Sequence, residues 1–254
     1  MEIEGKVALV SGAGSGIGRA SALALAQSGA SLLVSDIDEQ AGEETAELIR
    51  SAGAEASFVR ADVSVEPDIE RMVAAAESTF GGLHIVHNNA GILAAGPRFP
   101  QTPPERFMRV VDVNLRGVLL ATYHAIPVME RSGGGVIVQT ASSAALTPHP
   151  MHPIYAATKA GVLNFTRSLT HLEEQSNIRV NCICPTLVRT NLAANAAELM
   201  TEDERGPFVS YREGVSARPH LTAEEVAKSV LMLVRDDTLN GKACLITSES
   251  IEIV

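Results

Sequence analysis

The stretch V-A-L-V-S-G-A-G-S-G-I-G, Val7 to Gly18, decides the fold. Val7–Val10 reads as a short buried strand, and the Ala-rich segment Gly16–Ser28 as a helix stopped by Gly29. The glycines of Ser11–Gly18 therefore sit at a strand-to-helix turn. Glycine there lets the backbone approach a ligand and leaves helix N–H groups open to a phosphate. A glycine pattern alone is weak. This one follows a predicted strand, opens a predicted helix and begins a βαβ unit, which favours a dinucleotide loop over a tight turn that binds nothing. The candidate cofactor residues of the loop are Gly12, Ser15, Gly16, Ile17 and Gly18.

The next element supplies a cofactor selector. Asp36 ends the predicted strand L-L-V-S-D, eighteen residues beyond Gly18. A carboxylate there can accept hydrogen bonds from both hydroxyls of an adenosine ribose and repels a 2′-phosphate. Ser15 stands in the loop where a Lys or Arg would be needed for that phosphate, and Ile37 follows the acid. NAD is favoured over NADP. The competing reading of Asp36 is a helix cap for the segment starting at Ile37.

Strands and helices alternate along the rest of the chain. Ser31–Ser35, Ala54–Arg60, Leu83–His87, Gly135–Thr140, Ile178–Ile183 and Ala243–Ser248 read as strands. Glu39–Ala52, Asp68–Phe80, Pro104–Arg131, Tyr155–Glu174 and Ala223–Arg235 read as helices. Near-continuous apolar strands suit a parallel sheet covered on both faces. The expectation is one α/β domain over 1–254, a Rossmann-type doubly wound, seven-stranded parallel sheet with right-handed crossovers. The irregular piece at 186–221 is predicted to be a substrate flap.

Bulk properties narrow the function classes. The 254 residues are 46% hydrophobic, enough for a large core, but only 4% aromatic with no Trp, so the core must be aliphatic. A net charge of −10 gives no electrostatic reason to bind nucleic acid or an anionic membrane. The N-terminus lacks a signal-like apolar run, and no segment reaches the ~18 apolar residues of a membrane span. A soluble, cytoplasmic protein is expected. Cys182, Cys184 and Cys244 cannot form a closed disulfide set. Cys182 and Cys184 should share one strand face as buried thiols, and no metal site is expected.

In I-Y-A-A-T-K-A-G, Ile154 to Gly161, Tyr155 and Lys159 stand four apart, on one face of a helix. A free tyrosine, with a pKa of about 10, is too weak a base at neutral pH. An ammonium one turn away, and a positively charged nicotinamide, would favour the phenolate. The pair reads either as an acid/base couple or as a core Tyr beside a solvated Lys.

Together these residues resemble the short-chain dehydrogenase/reductase family in its classical form, from Lys6 to about Val188 and more loosely to Gly241. G-A-G-S-G-I-G is similar to the family's loop, with Ser11 where Thr is usual. The resemblance makes A-D-V the adenine-contacting turn, with Asp62 and Val63. It makes N-N-A-G the segment passing the cofactor ribose, with Asn89, Ala90 and Gly91. It implies that Asn114 of D-V-N holds a water in a relay to Lys159, and that Ser142 hydrogen-bonds the substrate oxygen, with Ser143 the alternative. Y-A-A-T-K resembles the family's Y-x-x-x-K: Tyr155 becomes the general acid/base, and Lys159 also bonds the nicotinamide ribose. After the sixth strand Pro185-Thr186 replaces the family's Pro-Gly, which leaves the loop path open, while Val188 and Thr190 should meet the carboxamide.

The resemblance also reaches the substrate side. L-T-P-H-P-M-H-P, Leu146 to Pro153, and the tail Leu239 to Thr247 resemble prostaglandin dehydrogenase-like members. There the residue three before the tyrosine contacts substrate, here His152; a water-exposed loop His is the alternative. Leu187, Leu192, Met200 and Phe208 of the flap imply a fairly hydrophobic secondary alcohol or ketone. His84 and His87 stand where the family often has Asp and Val, and both read as structural. A homodimer or homotetramer is implied through the helices of Pro104–Arg131 and Tyr155–Glu174. The reading is an NAD-dependent oxidoreductase. A catalytically idle NAD-binding regulator or scaffold is the alternative, disfavoured by retention of Asn114, Ser142, Tyr155 and Lys159 together.

Overall fold

The strands of the sheet run Val7–Ser11 (β1), Ser31–Asp36 (β2), Ala56–Arg60 (β3), Ile85–Asn88 (β4), Gly135–Thr140 (β5), Ile178–Pro185 (β6), Ala243–Ile246 (β7) and Ile251–Ile253 (β8). This is a computed structural model, and it describes residues 1–93, 99–192, 194, 196, 202–203 and 218–254. Met200 and Phe208 of the expected flap lie outside the described residues. The spatial order is β3-β2-β1-β4-β5-β6-β7-β8. Pairings are parallel through β7, and β8 returns antiparallel to β7. The sheet thus has one strand more than the seven expected. Ile251–Ile253 is too short and exposed to stand out as a strand; the Thr247 hydroxyl makes the turn by accepting the Glu249 and Ser250 amides.

Continuous apolar strands arise because both faces are covered. On one face α1 (Gly16–Gln27) packs with α8 (Ala223–Arg235), burying Ala22, Leu25, Val226 and Val230 against Val10, Val34 and Val138. On the other, α3 (Glu66–Phe80) and α5 (Gly117–Arg131) bury Ile69, Met72, Ala125 and Met129 against Leu9, Leu33 and Ile137. Strand order reverses between β1 and β4, so a crevice opens beyond their carboxyl ends, where ligands of such sheets bind.

Two predicted helices are divided. Pro104–Arg131 becomes α4 (Pro104–Val111), a π-helical turn at Asp112–Arg116, and α5. Tyr155–Glu174 becomes α6 (Pro153–Ser168), with Pro at the start where its missing N–H costs nothing, and α7 (Leu172–Ser176). The remaining helix is α2 (Glu39–Ser51). All three cysteines are free and buried, and Cys182 and Cys184 share one apolar cluster. Among the described residues no helix is long and apolar enough to cross a membrane, and no cluster of three or more His, Cys, Asp or Glu could hold a metal ion.

Candidate active site

The glycine loop leaves β1 with Gly12 at φ 63°. A Cβ there would lie 2.7 Å from Ala90 Cα, so only glycine lets the loop and the end of β4 come together. Gly16, at φ 52°, opens α1, and a Cβ on it would stand 3.0 Å from Thr190 Cγ2. Ser15 precedes α1 without a side-chain cap, and no acid occupies the first turn. Neither the cap nor the first turn of α1 therefore supplies an anion to the positive end of its dipole and its free N–H groups. This cradle of glycine backbone fits a pyrophosphate.

Asp36 faces that loop. Its Oδ2 accepts the Gly14 amide at 2.7 Å and its Oδ1 the Asp38 amide at 3.0 Å. The cap of α2 is Asp38, whose Oδ1 accepts the Ala41 amide, so the helix-cap reading of Asp36 does not hold. Ala61 N–H donates to the Asp36 carbonyl, which brings the A-D-V turn beside Asp36. Asp62 Oδ1 accepts both the amide and the hydroxyl of Ser64. A Cβ on Gly117 would stand 2.6 Å from the Val63 carbonyl, which fixes how closely α5 approaches the turn. Asp36, the A-D-V turn and the glycine loop thus meet at one edge of the crevice.

At the reversal point, Asn89 Nδ2 donates to the Ser11 carbonyl at 3.2 Å and the Gly12 carbonyl at 3.1 Å. The Ser11 hydroxyl accepts the Asn89 and Ala90 amides. Asn114, fully buried in the π-helical turn, pairs both ends of its carboxamide with the Ile92 backbone at 2.8 Å. A Cβ on Gly91 would lie 3.3 Å from Asn114 Oδ1 and 3.5 Å from Lys159 Nζ, so glycine brings these two side chains to one place.

Tyr155 and Lys159 do share the α6 face. Lys159 Nζ lies 5.7 Å from the Tyr155 ring centroid and donates to the Thr140 carbonyl at 2.6 Å. Burial lowers the Lys159 pKa to about 8. Burial also pushes the Tyr155 hydroxyl up, partly offset by Ser142. With the ammonium alone beside it, the half-buried phenol is raised and not lowered, desolvation being the larger effect. Ser142 lies near enough to Tyr155 to pull its pKa down and accepts the Ala144 amide at 3.2 Å, while Ser143 begins the short 3₁₀ turn Ser143–Ala145.

Residues 6–200 match the family described as short chain dehydrogenase. The chain belongs to this family. Cyclohexanol dehydrogenase of Acinetobacter sp. (strain SE19) is 37% identical over 91% of this chain and 88% of its own. Borneol dehydrogenase, mitochondrial, of Lavandula x intermedia is 39% identical over 93% and 86%. The crystal structure of 3-ketoacyl-(acyl-carrier-protein) reductase from Brucella melitensis, complexed with NADH, superposes with a TM-score of 0.83 at 33% identity over 96% of this chain and 97% of that one. The chain is thus a short-chain oxidoreductase, of a family that uses NAD(H) or NADP(H).

The remaining expected residues of this short-chain dehydrogenase fall around the same crevice. After Pro185, Thr186 takes the place of the family's glycine by giving its amide and hydroxyl to the Ile246 carbonyl, which settles the loop path. Val188 bridges to Leu221, and Thr190 lies against Gly16. His152 flanks the start of α6, half-buried with its ring 5.2 Å from that of His149, and burial lowers its pKa to about 4. It is not the water-exposed loop residue of the alternative reading. His84 is structural: its Nδ1 accepts the Val7 amide. Sequence reasoning missed Ser11, Ile92 and Thr140 as site residues. The hydroxyl at Ser11 was a visible signal, but Ile92 and the Thr140 carbonyl act through backbone atoms, which no side-chain pattern reveals.

Proposed function

We propose that the protein is an NAD-dependent dehydrogenase/reductase interconverting a hydrophobic secondary alcohol and its ketone. The convergence of Ser142, Tyr155 and the buried Lys159 at one place in the crevice carries this reading. Ser142 holds the substrate oxygen, and Tyr155 takes its proton in oxidation and returns it in reduction. Lys159, steadied by the Thr140 carbonyl, keeps a positive charge beside the phenol and reaches the nicotinamide ribose. Nicotinamide, when bound, accepts the hydride from the carbinol carbon. The glycine loop seats the pyrophosphate, Asp36 the adenosine ribose, Asp62 and Val63 the adenine, Asn89 to Gly91 the second ribose, and Pro185, Val188 and Thr190 the carboxamide. Asn114 Oδ1 accepts the Ile92 amide and keeps a second lone pair, so it could still hold a relay water toward Lys159.

Ring alcohols are the favoured substrate class, because the relatives above are named for cyclohexanol and borneol. They carry the substrate reading better than the likeness of loop and tail to prostaglandin dehydrogenase-like members. His152, neutral and half-buried beside His149, would face the substrate as a hydrogen-bonding group. Leu119 and Tyr123 on α5 are exposed and lie on one helix face, which supports assembly into a homodimer or homotetramer.

The test is cofactor reduction by wild type and Tyr155→Phe, with NAD⁺ or NADP⁺ and a panel of cyclic and acyclic secondary alcohols. NADH should appear with wild type and fall by about 10²–10⁴-fold in the variant. Turnover with NADP⁺ alone would overturn the Asp36 argument. Tight NADH binding with no turnover across the panel would favour an idle nucleotide-binding protein.

A further inference from the structure

His87 stands at the inner end of a hydrogen-bond chain that surfaces at the glycine loop. It lies on β4 between Val10 of β1 and Val138 of β5, fully buried. Its Nε2 is 2.9 Å from Thr140 Oγ1. Thr140 Oγ1 donates to Asn89 Oδ1 at 3.3 Å. Asn89 then spends both Nδ2 hydrogens on the Ser11 and Gly12 carbonyls, where β1 turns into the loop.

The hydrogens give the chain a direction. A threonine hydroxyl has one hydrogen. Spent on Asn89, it leaves Thr140 Oγ1 an acceptor toward His87, so Nε2 must carry the imidazole hydrogen. A second observation agrees. His87 Nδ1 is buried without a hydrogen-bond partner. In the Nε2–H tautomer this is a bare lone pair, whereas the other tautomer would bury an orphaned N–H, the rarer and costlier defect.

We propose that His87, as the neutral Nε2–H tautomer, is a positioning residue for the cofactor: it donates to Thr140, which points its hydroxyl at Asn89 and so commits both Asn89 amide hydrogens to the Ser11–Gly12 turn. The inference rests on the NAD-binding reading above. Burial holds the imidazole neutral, with its pKa lowered to about 3, so the donor persists across the ordinary working range of pH.

Two measurements test it. The first is long-range ¹H–¹⁵N correlation of cofactor-free protein labelled at histidine, with the His87 signals assigned by their loss in His87→Gln. Protonated Nε2 and bare Nδ1 are expected, and a protonated Nδ1 overturns the proposal. The second is a double-mutant cycle on NADH affinity by fluorescence titration, with thermal midpoints recorded alongside. His87→Leu should weaken NADH about three- to tenfold, the worth of one neutral hydrogen bond. His87→Gln, whose amide can donate to Thr140, should recover to within about twofold. In a Thr140→Val background His87→Leu should cost nothing further. Equal weakening in both backgrounds, or none in either, overturns the proposal. Wild type that binds no NADH would sink the cofactor reading instead, and the tautomer measurement tells the two failures apart.

Discussion

Replacing His87 by Leu should flatten the acid side of the stability profile. The imidazole ordinarily titrates at 6.5, and burial, with the Lys159 charge nearby, lowers it to about 3. In that window the unfolded chain binds a proton that the folded chain refuses. The unfolded state then holds more protons, so stability falls as the pH falls. The stability is fully present above pH 6.5 and is lost progressively down to about pH 3. Each unit of difference is worth ~1.36 kcal/mol. Two units of acidification below 6.5 therefore cost about 2.7 kcal/mol, and the whole window about 5 kcal/mol. Against a domain stability of roughly 5–15 kcal/mol that is a large share. The assay is urea unfolding at pH 7 and pH 4.5, followed by far-UV circular dichroism because the chain has no Trp. His152 is also lowered, to about 4, and destabilises in the same direction. It is present in both proteins and cancels in the difference. Wild type should lose about 2.5 kcal/mol more than His87→Leu between the two pH values. Parallel losses would show that the imidazole takes up its proton in the folded state, and the argument from burial would fail.

Two further outcomes follow from the site. Gly12→Ala combines a φ of 63° with a Cβ 2.7 Å from backbone that cannot swing aside, so it should lower stability by about 1–3 kcal/mol and weaken NADH at least tenfold, read by thermal unfolding and titration. Lys159 has its pKa lowered to about 8, so NADH affinity should be level below pH 8 and weaken above it as the ammonium is lost, and Lys159→Met should remove that alkaline step.

Much of this was legible in the sequence, for identifiable reasons. Parallel strands covered on both faces give near-continuous apolar runs, so most of β1 to β7 could be read from the order of apolar residues along the chain. The glycine loop and the Tyr155–Lys159 spacing are local, and local geometry follows from spacing. What escaped depends on contacts distant in sequence. The π-helical turn at Asp112–Arg116 coincides with Asn114 reaching back to Ile92, and helical periodicity alone reads through it. Asp36 and Asp38 are both good caps, and only the meeting of Gly14 with Asp36 divides the roles. Ser142 and Ser143 are adjacent and chemically identical, so only the fold could choose between them. His87 reads from sequence only as structural, and its link to Thr140 is invisible there because β4 and β5 become neighbours only in the sheet.

The acid/base couple shows why spacing alone misjudges charge. From sequence, an ammonium one turn from a phenol should favour the phenolate. Folding buries Lys159 fully and Tyr155 in part, and desolvation opposes both charges: Lys159 is lowered to about 8 and Tyr155 is raised. At neutral pH the resting pair is therefore a neutral phenol beside a mostly protonated amine. That state is ready to give a proton to a ketone oxygen. To accept one from an alcohol, the phenol needs a further positive charge within a few ångströms, and an oxidised nicotinamide carries one where a reduced ring does not. On the proposed function, burial therefore ties the role of Tyr155 to the redox state of the cofactor. It is an acid when hydride is available and a base when hydride is to be taken. A Tyr155 exposed to water would have its pKa set mainly by solvent, and that coupling would be much weaker.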